Sequence, residues 1–179
     1  MKVGHVLNAG DRALLETLLR EVGPRVLAYV RRAFGELVDA EEVVAETFAR
    51  AADNVAALRD CQRRDLYLLT TARNLCRDVL RRRRPEPIAD ARLSQHAAGG
   101  SAPDERLAND ELCRRLRAAV DRLPVPQREV VALRLSAELR FDEIADLLGI
   151  PLGTALSRMN AALCRLRREL GYAHARQRL

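Results

Sequence analysis

Four polar side chains near the end of the chain, Thr154, Ser157, Arg158 and Asn160, could contact nucleic acid. Hydroxyl, amide and guanidinium groups of this kind bond to base edges and to phosphate oxygens in protein–DNA complexes. They stand at the start of a segment in which large apolar residues recur every three or four positions, as along one face of a helix. The segment therefore predicts a helix whose first turns carry DNA-binding groups.

The residues just before this segment favour a first helix and a tight turn. Phe141, Ile144 and Leu148 form one helical stripe. Gly149 would end that helix, because glycine tolerates a left-handed backbone, and Pro151 cannot continue it. The second helix would be capped by Thr154 and would bury Leu156, Met159, Leu163, Leu166 and Leu170. The pattern indicates a helix-turn-helix, whose second helix enters the DNA major groove, although spacing alone also allows an ordinary helical hairpin.

Composition favours helices and allows a nucleic-acid partner. Only 3% of the 179 residues are aromatic and there is no Trp, so the cores must use Leu, Val, Ile and Ala. The net charge is +6, and Lys2 is the only lysine among 31 basic residues. A basic chain is typical of nucleic-acid binders, but a charge of this size is weak evidence by itself.

Charge is segregated along the first half of the chain. The segment from Glu36 to Glu46 holds five carboxylates and no basic residue, whereas 59–84 holds nine arginines and three aspartates. Acids at a helix start suit the helix dipole, and a solvated face explains many charged runs. The functional alternatives are a negative patch for a basic protein surface and an arginine face that releases counterions from DNA.

No pattern of enzyme or metal chemistry stands out. Cys61, Cys76, Cys113 and Cys164 form no CxxC pair and have no zinc-ligand spacing to any His. We find no phosphate-binding loop, no catalytic triad, no signal peptide and no apolar span of membrane length. We expect a cytoplasmic protein with reduced thiols, no metal, no cofactor, no catalytic residue, no small-molecule substrate and no membrane insertion.

Residues 85–110 are rich in Pro, Gly, Ser and acids, which is typical of a flexible linker. Helical periodicity flanks it, with breaks expected at Pro24 and Pro124 and new helices at Pro24 and Pro126. The predicted fold is all-α: two small helical domains, 1–84 and 111–179, joined by the linker 85–110.

Four segments together resemble the sigma-70 family of RNA polymerase sigma factors, of the two-domain extracytoplasmic-function type. DAEEVVAETF at 39–48 resembles region 2.2, and TARNLCRDVLRRRR at 71–84 resembles regions 2.3 and 2.4. LPVPQREVVALR at 123–134 resembles the start of region 4, and EIADLLGIPLGTALSR at 143–158 resembles its helix-turn-helix. Each motif is moderately specific, and four in order over nearly the whole chain are highly specific.

The resemblance implies a sigma factor that binds core RNA polymerase and promoter DNA. It also implies an anti-sigma factor as a partner that clamps the two domains together. The acidic patch would dock on the clamp helices of the largest polymerase subunit through Asp39, Glu41, Glu42, Val44, Glu46 and Phe48. Region 2 would bind and open the −10 element with the lead-in loop 55–64 and with Arg63, Arg64, Tyr67, Arg73, Asn74, Arg77 and Arg81. Region 4 would read the −35 element through Arg134, Thr154, Ser157, Arg158, Asn160 and Arg165.

Some positions depart from the family pattern. Ala45 stands where relatives usually carry Gln, and Ala52 and Tyr67 stand at Trp positions. Leu156 and Ala161 replace basic residues on the recognition helix, so the −35 contacts rest either on the arginines or on apolar and backbone contacts. Two rival interpretations are a sigma-like decoy that titrates an anti-sigma factor, and a conventional dimeric helix-turn-helix regulator.

Overall fold

The computed structural model describes residues 7–82 and 107–171, and within these ranges it contains helices and no strand. The N-terminal unit comprises α1 Ala9–Phe34, a 3₁₀ turn Gly35–Leu37, α2 Ala40–Asp53, α3 Val55–Asp60 and α4 Arg64–Arg82. The C-terminal unit comprises α5 Leu107–Asp121, α6 Val125–Leu135, α7 Phe141–Leu148 and α8 Leu152–Glu169. The predicted all-α fold with two helical parts is confirmed, while Arg83, Arg84 and positions 85–106 of the predicted linker lie outside the described residues.

Helix α1 is continuous, so the break predicted at Pro24 is wrong. Pro24 lies inside the helix, where it removes one backbone N–H. Gly23 precedes it and has no Cβ to clash with the proline ring. Val22, Val26 and Val30 keep one buried face in register across the proline, so burial outweighs the lost hydrogen bond.

Local caps set the ends of the next helices. Gly35 ends α1 with a φ of 56°, a backbone conformation that suits glycine. The carboxylate of Asp39 accepts the backbone N–H of Glu42 at 3.0 Å and starts α2. The expected lead-in loop at 55–64 is partly helical, because Val55 and Leu58 are buried at a spacing of three residues and fix the short helix α3.

The helix-turn-helix is present. Helix α7 ends at Gly149, which is left-handed with φ 66° and ψ 41°. Helix α8, however, is capped by Pro151 and not by the predicted Thr154. The carbonyl of Pro151 accepts the backbone N–H of Thr154 at 2.9 Å, so the first helical turn has already formed before that residue.

The buried face of α8 also differs from the predicted stripe. Ala155, Ala162 and Leu166 are buried, with Met159 half-buried beside them, whereas Leu156 is 41% exposed. The two small alanines let α8 lie close to its neighbours. Because the alanines face the core, Leu156 points outwards.

The two units pack against each other, chiefly through α1 and α6. One continuous cluster of buried residues includes Val26 and Val30 of α1 together with Val130 and Leu133 of α6. The N-terminal core also holds Tyr29 and Phe34, whose rings meet edge to face at 6.0 Å. The shared core fixes which surfaces of each unit face solvent.

Candidate nucleic-acid interface

The outer face of α8 carries most of the residues predicted to read DNA. Ser157, Asn160 and Arg165 are exposed, while Thr154 and Arg158 are half-buried. Leu152 and Leu156 lie one turn apart on the same helix and are 47% and 41% exposed. The face that a major groove would meet is therefore part polar and part apolar.

Arg134 lies at the exposed end of α6 and supports the approach to the helix-turn-helix. Its Nη1 donates to the carbonyl of Leu139 at 3.0 Å. Its guanidinium also lies over the ring of Phe141, 5.6 Å from the centroid, in a cation–π contact. Arg134 thus has a positioning role in this structure in addition to the DNA contact predicted for it.

An open groove of about 600 Å³ lies between α2 and α4. It is lined by three of the predicted −10 residues, Asn74, Arg77 and Arg81, and by Arg50 and Asp78. Three guanidinium groups and one carboxylate line the groove together with Asn74, so the groove is suited to a polyanion. Arg81 pairs with Asp78 at 3.2 Å, and Arg50 pairs with Glu46 at 2.8 Å.

Sequence reasoning did not select Arg50 or Asp78 as site residues. Asp78 lies in the same motif as Asn74, one turn further along α4, and this spacing could have indicated it. Arg50 comes from a different helix, and no local pattern connects it to Asn74. Its place in the groove follows only from the packing of α2 on α4.

The other predicted −10 residues lie away from this groove. Arg64 donates to the carbonyls of Leu58 at 3.0 Å and Arg59 at 2.8 Å, which closes the turn before α4. Tyr67 is half-buried against the core. Arg63 is exposed and contacts two carboxylates, Asp65 at 3.2 Å and Glu143 of α7.

The contact with Arg63 shifts the pKa of Glu143, which belongs to the C-terminal unit. The side-chain hydrogen bond from Arg63, followed by one from the backbone N–H of Arg140, lowers the pKa of Glu143. The side-chain hydrogen bond of Arg63 to Asp65, and to a lesser extent the one to Glu143, raises the pKa of Arg63. At neutral pH both partners are therefore charged, and the contact is an ion pair.

Arg73 is buried between the two units. Its Nε donates to Glu129 of α6 at 2.9 Å, and the two side chains are only 9% and 4% exposed. Its Nη1 and Nη2 lie 3.4 and 3.5 Å from the carbonyl oxygens of Leu147 and Leu148. The seven residues predicted for the −10 element therefore fall into three sets. Asn74, Arg77 and Arg81 line the open groove, Arg63, Arg64 and Tyr67 lie at the start of α4, and Arg73 lies inside the contact between units.

The predicted polymerase-binding residues share the outer part of α2. Asp39, Glu41, Glu42 and Glu46 are exposed, whereas Val44 and Phe48 are half-buried and pack on the core. Arginines of the same chain partly balance the carboxylates, since Glu41 pairs with Arg31 and Glu46 with Arg50. Exposed pairs of this type contribute about 0–1 kcal/mol, so a basic partner surface can replace them at little cost.

The described residues hold no cluster of acids, histidines and cysteines that could bind a metal ion. Burial, and then the charge of Glu129, raise the pKa of the Cys76 thiol to about 12, which makes it a poor nucleophile at neutral pH. In the parts of the chain that the structure describes, no helix combines the length and the apolar character needed to cross a membrane.

Comparison with known proteins matches each unit to one family model. The model for Sigma-70 region 2 covers residues 18–86, and the model for Sigma-70, region 4 covers residues 113–166. The ECF RNA polymerase sigma factor SigL of Mycobacterium tuberculosis is 32% identical over 168 residues, which are 91% of this chain and 94% of the relative. This chain belongs to the ECF RNA polymerase sigma factors.

Other ECF sigma factors agree with this assignment. EcfG of Rhodopseudomonas palustris is 32% identical over 145 residues, covering 80% of this chain and 77% of the relative. SigW of Bacillus subtilis is 26% identical over 90% of this chain and 91% of the relative. The N-terminal unit is accordingly called region 2 from here on, and the C-terminal unit region 4.

A solved structure shares the fold. The sigma factor RpoE of Bartonella quintana, crystallised in complex with the anti-sigma factor NepR, has a TM-score of 0.66 and is 21% identical. The match covers 90% of this chain and 99% of the RpoE chain. At this identity the comparison establishes the arrangement of helices and leaves residue roles to the contacts described above.

Proposed function

We propose that this ECF sigma factor binds core RNA polymerase through region 2, and that it directs initiation by reading a −35 element with α8 and opening a −10 element with the α2–α4 groove. The observation that carries the proposal is the presence, in one chain, of an open groove lined by arginines and Asn74 and of an exposed recognition helix. It acts as an initiation factor and not as an enzyme. Its place of action is the cytoplasm, where polymerase and chromosome meet.

At the −35 element, α8 enters the major groove with its first two turns. Ser157, Asn160 and Arg158 bond to base edges and phosphates, and Arg134 and Arg165 add charge from either side. The exposure of Leu152 and Leu156 supports apolar contacts as part of the readout. Thymine is the base that offers a methyl group in the major groove, so these leucines favour thymine-containing sites.

At the −10 element, the groove holds a displaced single strand. Arg50, Arg77 and Arg81 neutralise phosphates, and the Asn74 amide both donates to and accepts from a base edge. Unstacking a base costs a few kcal/mol, which contacts in the groove offset once the base has left the stack. Tyr67 can add a stacking surface, since a base on an aromatic ring contributes about 1–3 kcal/mol.

Polymerase docking uses the outer face of α2. Asp39, Glu41, Glu42 and Glu46 present carboxylates to a basic helical surface, such as the clamp helices expected as the partner, while Val44 and Phe48 supply apolar contact. An anti-sigma factor is the further partner we expect. It is supported by the fold that this chain shares with the NepR-bound sigma factor.

A transcription assay tests the proposal. Core polymerase is incubated with the purified protein and a library of genomic fragments, and the 5′ ends of the transcripts are sequenced. The proposal requires new start sites that depend on the protein and that share two motifs about 25 base pairs apart. A decoy would give no transcript while binding an anti-sigma factor tightly, and a conventional regulator would bind duplex DNA without polymerase.

A further inference from the structure

Region 4 contacts two of the region 2 arginines that the sequence predicts to bind the −10 element. Arg73 donates to Glu129 at 2.9 Å and lies near the carbonyl oxygens of Leu147 and Leu148, at the end of α7. Arg63 pairs with Glu143, at the start of α7. Both ends of α7 are thus attached to arginines of region 2.

Two further bonds cross the same boundary. Arg128 of α6 donates from Nε to the carbonyl of Ala33 at 2.7 Å, and Arg25 of α1 donates to the carbonyl of Ala137. Together with the shared apolar core, they fix regions 2 and 4 in one arrangement, here called the closed form.

The closed form and promoter binding compete for the same side chains. All three nitrogens of the Arg73 guanidinium face acceptors in region 4, and the side chain is 9% exposed. Because the guanidinium is buried beneath these acceptors, a phosphate can reach it only after region 4 has moved away.

The geometry of a promoter also requires separation. Elements centred 10 and 35 base pairs upstream of the start are about 25 base pairs apart, which is about 85 Å at 3.4 Å per pair. Helix α7 contacts both α4 and α8, which are 19 and 18 residues long and therefore only about 28 Å each at 1.5 Å per residue. The groove on α4 and recognition helix α8 are thus too close together in the closed form to reach both elements. Opening must therefore accompany recognition of both elements.

We propose that region 4 is an intramolecular inhibitor of the −10 surface, held by a latch that consists of the ion pairs Arg73–Glu129 and Arg63–Glu143. The inference rests on the proposed function, because it keeps for these arginines the contact with −10 DNA that the sequence predicts. In the free protein the latch buries Arg73 and pairs the charge of Arg63 with Glu143, and polymerase and promoter together release both.

The latch is built to release. The Arg63–Glu143 pair is exposed to solvent and is screened by salt. Arg25 Nε and the Tyr29 hydroxyl are buried with no hydrogen-bond partner among the described residues, so the closed contact is incompletely satisfied. A contact with such defects is displaced more readily than a fully bonded core.

The test compares two latch variants with a matched control. Glu129→Gln and Glu143→Gln each remove one latch charge from region 4, and Asp146→Asn removes one from an exposed position on the same helix as Glu143. Opening is measured by energy transfer between dyes on Ala49→Cys and native Cys164, both exposed, with Cys61 and Cys113 replaced by Ser. DNA binding is measured on a fluorescent random-sequence single-stranded 12-mer, without polymerase, over a range of salt concentrations.

We expect both latch variants to lower energy transfer and to bind the 12-mer at least about fivefold more tightly than the Asp146→Asn control. The reason is that only the open form binds the strand fully, so the apparent affinity rises with the fraction of molecules that are open. Two freed arginines should steepen the slope of log affinity against log salt by about 1.4, at 0.7 per single-strand phosphate contact. If Glu129→Gln fails to fold by circular dichroism, the partly exposed Glu143→Gln decides alone.

Energy transfer and affinity equal to the control in the folded variants would overturn the latch. Wild-type protein that gives no transcripts with core polymerase would instead overturn the proposed function. The two failures are distinguishable, because the first leaves promoter-directed transcription intact.

Discussion

Arg73 and Asn74 are neighbours in the chain but lie in different environments. Arg73 is buried against Glu129 of region 4, whereas Asn74 is exposed in the groove beside Arg50. One helical step of about 100° separates their directions on α4. A single motif thus contributes to two surfaces, one facing region 4 and the other open to solvent.

Replacing Asn74 by Ala should impair promoter opening more than closed-complex binding. The amide contacts a base only after that base has left the stack, so its loss acts on the melted state. We expect open-complex formation to fall by about tenfold, the equivalent of one hydrogen bond of roughly 1–1.5 kcal/mol, in a permanganate reactivity assay. Glu16→Ala, an exposed change on α1, is the control. An equal loss on duplex and pre-melted promoters would contradict a melting-specific role.

Replacing Arg50 by Ala should weaken single-strand binding in the groove. One lost phosphate contact should reduce the salt slope of binding by about 0.7. The measurement is titration of polymerase holoenzyme with a −10 non-template-strand oligonucleotide at several salt concentrations. Arg32→Ala, an exposed arginine of α1, removes the same charge elsewhere. An unchanged slope in Arg50→Ala would exclude that residue from the DNA path.

Charge reversal of Glu41 and Glu42 to Lys should abolish binding to core polymerase and leave the fold intact. Both carboxylates are exposed, so the helices do not depend on them, while like charges at an interface cost several kcal/mol. Co-purification with core enzyme measures binding, and circular dichroism measures folding. The double change Glu16→Lys and Glu21→Lys, on exposed positions of α1, is the matched control. Unaltered co-purification of the Glu41/Glu42 variant would remove α2 from the docking surface.

Leu156→Ala should reduce the preference for thymine in the −35 element. The contact of a leucine with a thymine methyl buries roughly one methyl group, worth about 0.8 kcal/mol or fourfold in affinity. We expect wild-type holoenzyme to lose about this factor when a −35 thymine is replaced by 2′-deoxyuridine, which lacks the methyl group. Leu156→Ala should be insensitive to that replacement. Leu19→Ala, which changes an exposed leucine of α1, should keep the wild-type sensitivity.

Gly149→Ala should destabilise the protein by about 1 kcal/mol. An added Cβ meets no atom within 4 Å, so the cost comes from the left-handed backbone alone. Urea denaturation measures the free energy of unfolding. Gly149→Asn should cost less, because Asn tolerates this conformation, and Gly153→Ala, inside α8 and also unobstructed, should be neutral or stabilising. Equal effects at positions 149 and 153 would refute the conformational explanation.

Sequence patterns predicted what depends on neighbouring residues. The helix α7 and its end at Gly149 follow from side chains within a few positions. Patterns misplaced what depends on packing between distant segments. Pro24 stays helical because its neighbours are buried, and Leu156 is exposed because Ala155 and Ala162 pack more closely against the core.

The same distinction applies to the candidate site. Local motifs selected Asn74, Arg77 and Arg81, which the structure brings together in the groove. They could not reveal that Arg50 joins them from α2, nor that Arg73 faces a carboxylate 56 positions away in the chain. Contacts over such separations are set by the tertiary fold and leave no periodic trace in the sequence.

The unbroken helix α1 has a consequence for the separated molecule. It supplies Val26, Val30 and Ala33 to the core that both regions share. When region 4 moves away, part of this apolar surface is exposed to water, which is unfavourable. Whatever keeps the two regions apart during initiation must therefore cover this apolar surface of α1 as well as neutralise charge. A sigma factor that is opened in the absence of such a partner would tend to close again.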